Sequence, residues 1–241
     1  MWDKPYVLLW LAHALYTLAA LLVLYAALYF TLRLPWFDLR VVKVNGELEQ
    51  VTQDELRVAA RGLKGNFFTV DLDAARARFE KLPWVRGVSL RRQWPDQLEV
   101  TLEEQMPLAR WDGGGLVNIH GEIFAGEADA RLPLFSGPAG SSREIAQAYA
   151  SFAQLLQPHA LVRVQLSARR AWQVRLDNGL VLALGREHMQ ARLQRFVAVH
   201  ARTLGELQWQ PTYADLRYDN GFALRVPEAV RRAAPGKRKP A

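Results

Sequence analysis

The sequence contains no cysteine, and this absence removes several classes of chemistry. A chain without cysteine has no disulfide framework, no thiol nucleophile and no cysteine-ligated zinc site. The composition is compatible with an oxidising compartment but does not by itself indicate one. Whatever stabilises the fold must come from packing, hydrogen bonds and ion pairs alone.

The common catalytic motifs are absent as well. The chain has no G-x-S-x-G, no phosphate-binding GxxxxGK[ST] and no H-E-x-x-H. His188 and His200 fall on one predicted helix about 120° apart, so they cannot form a simple two-ligand metal face. The run 113–115 is all glycine but lacks the following helix and lysine of a phosphate cradle. The sequence therefore predicts no catalytic, metal or cofactor site and no small-molecule substrate.

Formal charge is missing from a long stretch near the N terminus, residues 6–32. At about 1.5 Å per residue, this run crosses a hydrocarbon core of about 30 Å with some tilt. A cleaved signal peptide is the alternative, but its apolar region is about 7–15 residues long. We expect an uncleaved transmembrane helix at 6–32, with 1–5 as a short cytoplasmic tail and the bulk of the chain exported.

Basic residues outnumber acidic ones and give a net charge of +7, but the excess is concentrated at one end. Residues 227–241 contain five Lys or Arg and one Glu, so this segment contributes 5 − 1 = +4. Such a segment, with three prolines, is predicted to be a disordered basic tail. The remainder is only mildly basic, so nucleic-acid binding is not predicted.

The segment after the apolar run predicts a small module with the order β-α-α-β-β. FDLRVVKVNG (37–46) has the pattern of a strand, and TQDE (52–55) is a capping box that opens a short helix. A second helix begins near Asp71 and ends at Pro83. The two closing strands follow, and the module is expected to span 37–105.

The closing strands are predicted from alternating apolar and polar residues on either side of Trp94-Pro95-Asp96. Pairing their apolar faces places Arg91 opposite Glu99 and Ser89 opposite Thr101. The next two residues, Glu103 and Glu104, point to opposite faces, so a paired-carboxylate catalyst is not expected. Both are predicted to be solvated, with alanine substitutions costing less than ~0.5 kcal/mol.

Residues 107–226 predict a second, mixed β-sheet domain with two helices, near 142–157 and 187–204. VRLDNGLVLAL (174–184) and LRYDNGFALRV (216–226) share an Asn-Gly pair before alternating apolar residues. Each pair is expected to form a type I′ hairpin turn, which needs positive φ at both central residues. The fold class predicted for the whole chain is α+β with an N-terminal transmembrane helix.

In this order, the motifs resemble the FtsQ/DivIB family of bacterial cell-division proteins. The resemblance rests on the apolar anchor, the β-α-α-β-β module and three segments. These segments are LPWVRGVSLRRQWPDQLEVTLEEQMPLARW, SARRAWQVRLDNGLVLALGR and YADLRYDNG. It covers about residues 5 to 226.

The resemblance implies a non-catalytic, bitopic (single-pass, type II) inner-membrane protein enriched at the division septum. A polypeptide-transport-associated (POTRA) domain would lie next to the membrane and a β domain would follow it in the periplasm. The implied partners are the FtsB–FtsL pair, bound through the β domain, together with FtsW, FtsI and FtsK. The implied role is to help recruit and regulate septal peptidoglycan synthesis.

By position, the family's partner-binding residues fall on two segments of this sequence. They are Arg169, Arg217, Tyr218, Asn220, Gly221, Phe222 and Leu224. A terminal hairpin leaves a strand edge to which a partner strand can add. Tyr218 is the expected anchor, and Arg217 and Arg169 are expected to pair with acidic residues of the partner. Alternatively, Tyr218 caps the domain's own core.

Two other functions belong to different classes. A POTRA-type periplasmic chaperone or assembly factor for exported proteins would usually carry tandem POTRA repeats or a membrane barrel of about 10-residue alternating segments. The sequence shows neither feature. A periplasmic enzyme would reveal itself by turnover in the absence of a binding partner.

Overall fold

The computed structural model describes residues 5–34, 37–63, 65–127, 131–200, 211–218 and 220–225. In these ranges the chain forms α-helices and β-strands in two compact units, Met1–Gln105 and Met106–Ala241. Each unit combines helices with its own sheet, which confirms the predicted α+β class. The predicted basic tail 227–241 lies outside the described residues.

The first unit begins with helix α1, Pro5–Thr31. It is long and apolar enough to cross a membrane, and its apolar segment Leu9–Thr31 is not buried against the rest of the chain. Large apolar side chains are exposed all around it, including Trp10, Leu22 and Phe30. A helix that is apolar on every side and uncovered by protein requires an apolar solvent, and lipid supplies one.

The remainder of the first unit has the predicted β-α-α-β-β order. Its elements are β1 (Val41–Asn45), α2 (Gln53–Arg61), α3 (Leu72–Phe79), β2 (Val85–Gln93) and β3 (Gln97–Glu104). The sheet order is β1-β3-β2, with β3 parallel to β1 and antiparallel to β2. The central strand β3 contributes Leu98, Val100 and Leu102 to the core, where they join Phe79 of α3.

The helix starts and the hairpin register agree with the sequence predictions. Thr52 and Glu55 form the capping box of α2, and hydrogen bonds from Thr52 lower the pKa of Glu55. Asp71 caps α3 by accepting from two backbone N–H groups. In the hairpin, Arg91 lies opposite Glu99 and Ser89 opposite Thr101.

The prediction that Glu103 and Glu104 are equally solvated is wrong for Glu104. Glu103 is exposed and pairs with Arg86 at 2.6 Å. The carboxylate of Glu104 instead accepts three hydrogen bonds, each 2.8 Å long, from the backbone N–H groups of residues 49–51. Glu104 therefore fixes the turn that leads into α2, a contact 53 to 55 residues away in sequence that alternation along β3 cannot reveal.

The second unit is built on one mixed nine-stranded sheet. Its strands are β4 (Pro107–Trp111), β5 (Leu116–Asn118), β6 (Ile123–Phe124), β7 (Leu134–Ser136), β8 (Leu161–Leu166), β9 (Trp172–Leu176), β10 (Val181–Gly185), β11 (Tyr213–Asp215) and β12 (Ala223–Arg225). The order across the sheet is β12-β11-β10-β9-β8-β7-β4-β5-β6, so β12 and β6 are the two edges in the described part of the chain.

The two predicted helices of this unit are α4 (Ser142–Leu155) and α5 (Met189–Val199). Phe152 of α4 packs edge-on against Trp172 of β9, with ring centroids 5.7 Å apart. Phe196 of α5 joins the same buried cluster. His188 precedes α5 and His200 follows it; His200 is half-buried beside Phe196, and this burial lowers its pKa.

Both Asn-Gly turns differ from the predicted type I′ geometry. Between β9 and β10, Gly179 has a φ of 86° but Asn178 does not have a positive φ. The second pair, Asn220-Gly221, does not join two strands directly, because β11 ends at Asp215 and β12 begins only at Ala223. The intervening loop lengthens because Asp215 uses its side chain to hold the residues that follow it.

Candidate partner-binding surface

The sequence-predicted partner residues gather at one end of the second sheet. The register runs from Leu166 of β8 to Trp172 of β9 and on to Gly185 of β10. At the same end, β11 pairs with β12 through Asp215 and Ala223. Arg169 follows β8, and residues 217–222 lie between β11 and β12. Segments 48 residues apart in sequence therefore share one end of the sheet.

Arg217 is held in place by a carboxylate that the sequence analysis did not single out. Asp215 is buried, and it accepts from the backbone N–H of Arg217 at 3.1 Å and from its Nε at 2.8 Å. The Arg217 Nη2 also donates to the second carboxylate oxygen. These side-chain hydrogen bonds lower the pKa of Asp215 and raise that of Arg217. The guanidinium is fixed by one edge while 61% of the side chain stays exposed.

Gly185, at the end of β10, leaves the space that this arrangement needs. Its φ is 81°, and a Cβ there would lie 3.1 Å from Cγ of Arg217 and 2.7 Å from Nη1 of Arg192. Arg192 comes from the first turn of α5 and donates to the carbonyl of Leu184 at 2.7 Å. Glycine is therefore required both by the backbone conformation and by the two arginine side chains that pass over it.

Tyr218 follows Arg217 and is 58% exposed. Its backbone carbonyl accepts a long hydrogen bond, 3.5 Å, from Nη1 of Arg195 on α5. The main chain at Tyr218 is thus tied to the domain while the ring is open to solvent. This exposure argues against the alternative in which Tyr218 caps the core. An exposed aromatic ring on an anchored backbone is a favourable shape for a binding anchor.

The next predicted residues divide between solvent and core. Asn220 is exposed and Gly221 is half-buried. Phe222 lies edge-on to Phe196 of α5 at 5.4 Å, and Leu224 also packs against the core. The last two side chains therefore position β12 on the domain, so a partner at this strand would meet its backbone and its outward-facing residues.

The outward-facing residues of β12 are Ala223 and Arg225, both exposed. The Arg225 guanidinium lies 5.3 Å from the ring centroid of Tyr213 on the neighbouring strand. In the described part of the chain, β12 has a neighbouring strand on one side only. The other side presents main-chain groups to which a strand can be added.

Arg169 lies in the tight turn between β8 and β9. The backbone N–H of Ser167 donates to the carbonyl of Ala171, closing the turn. Arg170 has a φ of 64° and pairs with Glu144 of α4 at 2.6 Å. Arg169 is exposed and, within the described ranges, is assigned no hydrogen bond or ion pair. The two adjacent arginines thus have different roles: Arg170 fixes the turn and Arg169 faces solvent.

Sequence reasoning missed the residues that support this surface. Asp215, Gly185 and Phe196 hold Arg217 and Phe222 without being exposed themselves. The Asp-Leu-Arg spacing in YADLRYDNG contains a local signal, because an aspartate side chain commonly binds backbone two residues on. Gly185 and Phe196 carry no such signal, since their contacts depend on how α5 lies on the sheet. Among the described residues no group of three or more His, Asp or Glu could hold a metal.

Together, the apolar helix, the β-α-α-β-β unit and the mixed-sheet unit define a single-pass membrane protein with a POTRA-type module. Residues 37–105 match the model of the FtsQ-type POTRA domain. Residues 109–217 match the model of the C-terminal region of the cell-division proteins FtsQ and DivIB. The chain belongs to the FtsQ/DivIB family of cell-division proteins.

Several relatives match almost the whole chain. Cell division protein FtsQ of Nitrosospira multiformis is 46% identical over 233 residues, covering 93% of this chain and 99% of the relative. The protein of the same name from Burkholderia pseudomallei is 45% identical over 236 residues, covering 94% of each. That of Escherichia coli K12 is 36% identical over 196 residues, covering 75% of this chain and 70% of the relative. The alternative of a POTRA-type chaperone finds no support in these matches.

Proposed function

We propose that this protein is a non-catalytic scaffold of the division machinery that binds the FtsB–FtsL pair through its second unit. In this proposal the chain lies in the inner membrane as a type II protein, with its bulk in the periplasm and enriched at the septum. It helps to recruit and regulate septal peptidoglycan synthesis, with FtsW, FtsI and FtsK as further partners. Membership of a cell-division family supports the setting.

The observation that carries the proposal is the combination of an open strand edge with a pre-positioned Arg-Tyr pair. Strand addition at β12 would supply main-chain hydrogen bonds that are independent of sequence. Arg217 and Tyr218, at the end of the preceding strand, would supply specificity. Because Asp215 already fixes Arg217, little side-chain entropy would be lost when a partner binds.

The exposed charges of the surface favour an acidic partner. Arg169, Arg217 and Arg225 are all exposed at or near this end of the sheet. Asp215 is the nearest carboxylate placed on Arg217, and it occupies one edge of the guanidinium. The opposite edge can still donate to a carboxylate of the partner, where a bidentate contact adds orientation as well as energy.

Photocrosslinking in dividing cells tests the strand edge directly. A photoreactive amino acid replaces Ala223 or Arg225 on β12, and Ile123 on the opposite edge strand β6 serves as the matched control. Crosslinks to FtsB from β12 but not from β6 are expected. Crosslinks from Ile123 alone would place the partner on the wrong edge and refute the proposed binding mode.

Localisation tests the cellular role. A fluorescent fusion of the full chain is expected at mid-cell in dividing cells. The Tyr218→Ala variant should still reach the membrane but should fail to retain FtsB at the septum. Uniform distribution of the unaltered fusion in dividing cells would contradict the proposed role at the septum.

A further inference from the structure

The chain leaves the membrane helix through a structured junction. Asn66 is 5% exposed and donates from Nδ2 to the carbonyl of Leu32, one residue beyond the end of α1, at 2.7 Å. The same side chain accepts, through Oδ1, from the backbone N–H groups of Phe68 and Thr69. One amide thus joins the end of the apolar helix to the loop 65–70.

This junction carries exposed apolar side chains. Phe68 is 42% exposed and Leu34 is 40% exposed. The ring of Phe37 lies 5.1 Å from that of Phe68, and the Phe37 N–H donates to the carbonyl of Leu34 at 3.2 Å. Leu34, Phe37 and Phe68 therefore form a continuous apolar surface, here called the juxtamembrane surface.

We propose that the juxtamembrane surface lies in the lipid interface, so that the POTRA-type unit contacts the bilayer through Phe68 as well as through α1. The occupant is the lipid itself, because the surface is continuous with the end of the membrane helix. A helix of 27 residues is about 40 Å long, about 10 Å more than the hydrocarbon core. Its last turn therefore reaches the headgroup level when the helix is centred.

Neighbouring side chains suit the same depth. The Arg33 guanidinium lies 4.2 Å from the ring centroid of Tyr29, an aromatic–cation pair of the kind that membrane interfaces favour. Phe67, which is 8% exposed, packs against Phe68 at 5.2 Å and turns the loop so that only Phe68 projects outward. The loop is thus held from behind and apolar in front.

The absence of cysteine makes the test direct, because a single introduced cysteine is the only labelling site. Phe68→Cys carries a nitroxide spin label in the full chain, reconstituted in nanodiscs of phosphatidylethanolamine and phosphatidylglycerol. Collision rates are measured with oxygen, which concentrates in lipid, and with a water-soluble nickel chelate. Val58→Cys on α2 of the same unit is the matched control, since Val58 is apolar and 68% exposed.

The expected result is an oxygen-to-nickel ratio at least severalfold higher at position 68 than at position 58. Leu34→Cys should resemble position 68 and decides the question if Phe68→Cys lowers the melting temperature. Equal nickel accessibility at 34 and 58, or at 68 and 58 in a folded variant, overturns the proposal. Protection from nickel that requires an added protein partner would also overturn it.

Discussion

Asp215 holds Arg217 by accepting both from its backbone N–H and from its guanidinium, two residues further along the chain. The buried carboxylate therefore sets the direction of the exposed cation, and it also fixes where the chain turns toward Tyr218. The proposed partner surface depends on this support, which leads to predictions that separate support from contact.

The stability of the second unit should depend on the ionisation of Asp215. Hydrogen bonds from Arg217 lower its folded-state pKa below the ordinary value of 3.8. The stabilisation is therefore fully present above that value and is lost as pH falls through the folded-state pKa. The Tm difference between the unaltered chain and Asp215→Asn should be constant near neutral pH and shrink below pH ~4.

Calorimetry of the full chain from pH 7 to pH 3 measures this difference. The pKa of Asp177 is also lowered, chiefly by the backbone N–H of Ala160, but Asp177 is present in both proteins and cancels in the comparison. A Tm difference that stays constant down to pH 3 would show that Asp215 acts only through packing.

Gly185→Ala should weaken partner binding by displacing Arg217. The substitution adds backbone strain of about 1–2 kcal/mol at positive φ, and its Cβ would meet Arg217 and Arg192. Gly140→Ala is the matched control, because its φ is 80° and no atom lies within 4 Å of its Cβ. Both variants should lose stability, but only Gly185→Ala should lose affinity for the FtsB ectodomain. Equal affinities in the two variants would exclude this role for Gly185.

The adjacent residues Glu103 and Glu104 should have unequal effects on stability. Glu104→Ala removes three hydrogen bonds to the turn before α2 and should cost about 1 kcal/mol, the typical effect of losing a capping side chain. Glu103→Ala loses only an exposed pair with Arg86 and should cost less than ~0.5 kcal/mol. Urea unfolding of the two variants gives the comparison. Equal losses would mean that the Glu104 contacts contribute nothing beyond a surface charge.

Local patterns in the sequence were sufficient to predict much of the fold. Alternation predicted the pairing of Arg91 with Glu99, and capping residues predicted the starts of α2 and α3. These features depend on neighbours in sequence or on one hairpin. The three hydrogen bonds of Glu104 and the space above Gly185 depend on distant segments, so no local pattern contains them.

The partner-binding residues were predicted from resemblance and motif order rather than from chemistry. Sequence could place Arg217 and Tyr218 beside a turn, but it could not tell that Phe222 faces Phe196 while Tyr218 is exposed. That difference follows from the position of α5 on the sheet. The lengthened loop 216–222 likewise follows from the side chain of Asp215 and not from the Asn-Gly pair.

The central claim is that Arg217 and Tyr218 contact the partner rather than stabilise the domain. The most direct test measures the dissociation constant of the FtsB ectodomain, together with Tm, for Tyr218→Ala and Arg217→Glu. Trp94→Ala, an exposed aromatic of the first unit, and Arg163→Glu, an exposed arginine on β8, are the matched controls. The account predicts at least a ~10-fold weaker affinity for both test variants, with Tm near that of the controls. Unchanged affinity in both would contradict it.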